Sequence, residues 1–135
     1  MAIETLSFTL RAWDRSGKLV PDSIFFEKLQ ILPEESFERT RVGIELFSMS
    51  ASDFSEAEEP WEAFAEELRK RLFAAKKWLQ KQPTDLFATL RKKGLVTDIF
   101  IDAWIDSDQF DLDLPPEFLS ECGKHGLTLS IVTND

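Results

Sequence analysis

The chain of 135 residues has one cysteine, one histidine, no tyrosine and only five glycines. A lone Cys122 forms no internal disulfide, and one Cys with one His leaves no zinc site of the usual Cys/His type. The lack of tyrosine removes phenol chemistry. The five glycines do not cluster, so there is no Gly-x-Gly-x-x-Gly, no Gly-Lys-Ser/Thr phosphate loop and no Gly-x-Ser-x-Gly elbow. No run approaches the roughly 18 apolar residues of a membrane span, and residues 1–4 lack a basic segment leading into an apolar one. These absences predict a cytoplasmic protein with no membrane contact, no cofactor and no metal.

Positive charge is also scarce, but only in part of the chain. The net charge is −9, and a field of that sign repels phosphate backbones, which argues against nucleic acid as a partner. Residues 1–95 hold 15 basic and 16 acidic side chains, whereas residues 96–135 hold 1 basic and 9 acidic. Between Arg69 and Lys93, nine cations face Asp85 alone. The sequence is therefore electrically polarised from its middle to its end.

With 43% hydrophobic residues, twelve Phe and four Trp, the chain has the bulk for one core over residues 1–135 and little resemblance to a disordered tail. Residues 5–13 alternate, with Leu6, Phe8, Leu10 and Ala12 on one side, which predicts a strand. Pro21-Asp22 opens a short helix closed by Pro33, and Val42, Ile44 and Leu46 opposed by Glu45, Phe47 and Met49 form a second strand. Pro60 begins a long amphipathic helix that carries Trp61, Phe64, Leu68, Leu72, Ala75 and Leu79 toward the core. After Pro83, with Thr84 as cap, comes a second helix ending at Gly94; residues 96–105 alternate again as a third strand. Pro115-Pro116 starts a last helix, and residues 127–133 a last strand. The order β-α-β-α-α-β-α-β predicts a single α+β domain, a four-stranded, mostly antiparallel sheet with helices on one face.

Leu29-Gln30-Ile31-Leu32-Pro33, the strand near residues 42–49, the long helix, and the ending from Leu114-Pro115-Pro116-Glu117-Phe118-Leu119 through Gly126-Leu127-Thr128-Leu129-Ser130-Ile131 resemble the bacterial domain of unknown function 4279 family. The resemblance covers nearly the whole chain, through motifs that specify caps and strands. It implies a bacterial origin and no catalytic residues to carry across, and related small acidic domains are similar to immunity proteins encoded beside toxins.

Most of the candidate chemistry lies in the acidic third. Asp98, Phe100, Asp102 and Trp104 share one face of the third strand, and Asp106, Asp108, Asp111 and Asp113 follow. Carboxylates that steer encounter and aromatics that give residence time suit a basic protein partner, plausibly a toxin. Two other readings compete: charges that protect a sheet edge from aggregation, and pairing with the cationic helix ends of the same or a second copy. If helices cover Leu6, Phe8 and Leu10, then Trp13, Phe47, Phe100 and Trp104 fall on the opposite face, where they form an interface with a partner or a homodimer, or lie under another part of the chain.

Calcium binding fails at once, because Asp106-Ser107-Asp108 is followed by Phe110 and Asp111 where a ligand and a Gly are needed. Cys122 and His125 stand three apart, but the cysteine sits on an apolar stripe and the histidine at a helix C-terminus, so both read as structural. The expectation is a non-catalytic interaction domain of immunity type, with a self-associating domain or a small carboxylate-dependent hydrolase as alternatives.

Overall fold

The computed structural model describes residues 3–16, 28–29, 37–39, 43–107 and 110–134. The helix expected between Pro21 and Pro33 falls on a span of which only Lys28 and Leu29 are described. Apart from the two-residue strand Glu38–Arg39, which the sequence pattern does not predict, the remaining strands and α-helices follow the expected order. The strands and α-helices are β1 (Ile3–Trp13), β2 (Glu38–Arg39), β3 (Gly43–Ser50), α1 (Pro60–Gln80), α2 (Thr84–Lys92), β4 (Val96–Ile105), α3 (Pro116–Lys124) and β5 (Thr128–Thr133).

Helix boundaries follow local chemistry. Pro60 and Pro116 occupy first-turn positions, where a missing N–H removes no hydrogen bond. Thr84 is the first residue of α2 rather than its cap; Pro83 holds the cap position, with no side chain bonded there. Gly94 (φ 93°) and Gly126 (φ 67°) end α2 and α3 in the left-handed region. In each case the N–H three residues beyond the last helical residue reaches back across the turn, Leu95 to the Leu90 carbonyl at 3.1 Å and Leu127 to that of Cys122 at 2.9 Å. Both leucines are buried, which ties each helix end to the core.

The sheet runs β2-β3-β1-β4-β5, with four long strands and the two-residue β2 at one edge. All neighbours are antiparallel except β4 and β5, which are parallel and joined through α3. The result is an α+β domain with a mixed, mainly antiparallel sheet flanked by helices. Strand β4 lies inside the sheet, between β1 and β5, so its carboxylates do not guard an edge.

The alternation of β1 and β4 holds: Leu6, Phe8, Leu10 and Ala12 pack with Ile99, Ile101 and Ala103 in one buried cluster under the helices. Strand β3 departs from it. Phe8 pairs with Phe47 but Thr9 with Glu45, leaving Leu46 as an extra residue in a bulge. One inserted residue reverses the parity beyond it, so Ile44 and Phe47 both reach the core side. Phe47 is 6% exposed and stacks on Phe8 at 4.7 Å, which corrects the expectation that it lies on the open face.

Helix α1 buries Phe64, Leu68, Leu72, Ala75 and Leu79 as its spacing requires. Trp61, expected among them, is 42% exposed and stacks on Phe64 at 5.8 Å, while Trp78 takes a buried place against Phe37. His125 is buried, its Nε2 donating to the Leu79 carbonyl at 2.7 Å, so the end of α3 closes the last turn of α1. Cys122 is buried beside it, and burial together with the neighbouring Glu121 charge pushes its thiol up to about 12.

Candidate partner-binding face

On the side of the sheet away from the helices, the register lines Asp98, Phe100, Asp102 and Trp104 against Arg11, Thr9, Ser7 and Thr5. The four sequence-predicted residues of β4 therefore share a face, but not one character. Asp98 is 1% exposed; it accepts from Arg11 Nε at 2.9 Å, from the Arg11 terminal guanidinium nitrogen at 2.6 Å and from Trp13 Nε1 at 3.2 Å. The Arg11 guanidinium lies 4.1 Å from the Phe100 ring centre and 5.0 Å from that of Trp13. A carboxylate fully engaged in a fork and an indole bond has no free charge to offer a partner. Asp98, Trp13 and Phe100 thus form the floor around Arg11.

Beyond this floor the face opens. Asp102 stands between Ser7 and Val132 on the adjoining strands, half-buried, and among the described residues no cation pairs with it. It shares a shallow cleft of about 310 Å³ with Thr5, Ser7, Ser48, Ser50 and Asp53. Ser50 Oγ and Ser52 Oγ are 2.9 Å apart at the rim. Trp104 lies next to the cleft, opposite Thr5, and is 48% exposed. Two carboxylates, a set of hydroxyls and a broad indole make a receptor for a cationic side chain: the carboxylates supply charge, the hydroxyls adaptable acceptors, and Trp104 apolar area.

The rest of the acidic stretch goes elsewhere. Asp106 is exposed just past the end of β4, and Asp108 lies outside the described residues. Asp111 and Asp113 are exposed beside Trp61 and Arg69, along a cleft of about 280 Å³ between α1 and residues 114–116. Residues 111–116 lie against the helical layer and not on the sheet face. What reads as one acidic strip in sequence is two surfaces in space.

Arg11 and the hydroxyls of β1 and β3 were not among the residues that sequence singled out. Arg11 and Ser7 stand on the polar side of the first strand, so alternation marks them as outward-facing. Their partners Asp98 and Asp102 come from a strand more than eighty residues away, and only the β1–β4 register joins them. Among the described residues, no group of three or more His, Cys, Asp and Glu side chains is placed to hold a metal ion, and no helix is long and apolar enough to cross a membrane. Comparisons of the chain with protein-family models, curated proteins and solved structures find no match.

Proposed function

We propose that the chain is a non-catalytic protein-interaction domain that binds a basic partner through the open sheet face, with Trp104 as anchor and the Asp102–Asp53 cleft as receptor for a lysine or arginine side chain. The observation that carries this reading is the exposed Trp104 set beside a hydroxyl-lined cleft with two carboxylates, on a strand braced on both sides by neighbours. A rigid platform costs little to order on binding, and an exposed aromatic surrounded by polar groups is the composition from which interface anchors are drawn. The resemblance to immunity-like bacterial domains supports a more specific role, that of a cytoplasmic protein which holds and neutralises a basic toxin.

The test is capture of the native partner with wild-type protein, followed by binding kinetics on the recovered complex. Trp104→Ala weakens binding at least about 30-fold, the loss typical of an anchor. Asp102→Asn slows association and flattens its dependence on salt. A recovered partner whose kinetics neither substitution alters removes this face from consideration.

A further inference from the structure

We infer that β5 is the self-association edge of this protein, and that two copies pair their β5 strands antiparallel about a two-fold axis to give one continuous sheet. This surface is the edge of the sheet rather than its open face, and it leaves the Asp102–Asp53 cleft and Trp104 free for a different partner. Among the described residues strand β5 ends the sheet, and its six residues Thr128–Thr133 contain no charge, no proline and no glycine. Edges of that kind present unpaired backbone groups without the lysines, prolines or bulges that usually deter pairing. The other edge is blunted: β2 has two residues, and the strand behind it carries the bulge at Leu46.

Ile131 points toward the helix side, in register with the fully buried Ile101, yet is itself 48% exposed, since among the described residues no strand pairs with the outer side of β5. A two-fold axis through Ile131 places it opposite its own copy, with Ser130 opposite Val132 and Leu129 opposite Thr133. Each pair then keeps its side of the sheet, as the pleat demands.

Charge selects a second copy as the occupant. At the start of β5, Arg91 bonds the His125 and Gly126 carbonyls at 3.1 Å each, and exposed Lys92 follows it in the chain, while Lys124 pairs with Glu121 of its own helix at 3.6 Å. At the opposite end is Asp106, exposed just past the end of β4. The polarity of the sequence thus becomes a polarity along the sheet. A two-fold axis reverses one copy, so the cationic end of each lies toward the anionic end of the other.

The test is sedimentation equilibrium of the full chain from low to high micromolar concentration, at low and high salt. Wild-type protein dimerises, and the dimer weakens as salt rises. Ile131→Lys, which sets two like charges face to face, raises the dimer dissociation constant at least about tenfold while far-UV circular dichroism stays unchanged. Ile131→Cys forms a covalent dimer under mild oxidation, and buried Cys122 gives wild-type protein no such product. A protein that stays monomeric throughout overturns the inference. So does a dimer that Ile131→Lys leaves intact, or one that Trp104→Ala alone dissolves, which would place self-association on the open face.

Discussion

Arg11 and Asp98, 87 residues apart in the chain, meet across β1 and β4 in a fork of two hydrogen bonds of 2.9 and 2.6 Å, with Asp98 almost wholly removed from water. Trp13 adds a third bond to the same carboxylate, and Phe100 lies under the guanidinium. The pair fixes β4 against β1 at one end of the face whose other end carries Trp104. Its role is to hold register, because a slip of one residue would leave a buried charge without its partner.

Removing one half of that pair is therefore costlier than removing both. Asp98→Ala destabilises the fold by about 3 kcal/mol or more, since Arg11 is left facing a largely desolvated site. The double replacement Arg11→Met with Asp98→Leu costs less than Asp98→Ala alone. Urea unfolding of the two variants beside wild type gives the comparison; a double variant as unstable as the single one would refute the pairing.

The bulge at Leu46 makes Phe47 a core residue. Phe47→Ala destabilises by about 3 to 5 kcal/mol, the range for truncating a buried aromatic. Trp104→Ala, on the exposed face, shifts stability by about 0.5 kcal/mol or less. Thermal unfolding of both separates them, and equal small effects would place Phe47 on the open side after all.

Gly43 sits where β3 crosses close to β1. A Cβ there would come within 1.8 Å of the Leu10 carbonyl oxygen, a backbone atom with little room to retreat. Gly43→Ala thus opens the start of the β1–β3 ladder and lowers the midpoint of thermal unfolding by several degrees or more. Hydrogen exchange checks the location: protection falls first at Leu10 and Arg11.

Cys122 gives a pH signature. Its thiol is held protonated to about 12 in the folded chain, against 9.0 for an unperturbed thiol, chiefly by burial. The unfolded chain loses that proton first, so the contribution is complete below pH 9 and declines as pH rises from there toward 12, by about 1.4 kcal/mol per unit. Cys122→Ala lessens this alkaline loss relative to wild type. A thiol reagent at pH 8 labels native protein only as fast as it unfolds, and rapid labelling of folded protein would contradict the burial.

Much of the fold was legible because its signals are local. Alternation in residues 96–105 fixed β4 to the residue, Pro60 and the three-and-four spacing marked α1, and Gly94 marked a helix end. The candidate face was only half legible. Asp98, Phe100, Asp102 and Trp104 were placed together because a strand repeats every two residues. That Asp98 is consumed by Arg11, that Phe47 turns inward and that Trp61 stays outside depend on neighbours that periodicity does not name.

The sequence by itself determined the order of elements from β3 to β5, the polar and apolar sides of β1 and β4, and the shift of charge from cationic middle to acidic end. Tertiary structure decided which carboxylates remain free, where the acidic stretch divides, and which strand ends the sheet. The physical reason is one of range. Propensity, capping and alternation act between residues a few positions apart, whereas register, burial and charge pairing are set when strands distant in sequence lie side by side, and there a single inserted residue in β3 is enough to turn a side chain from water to core.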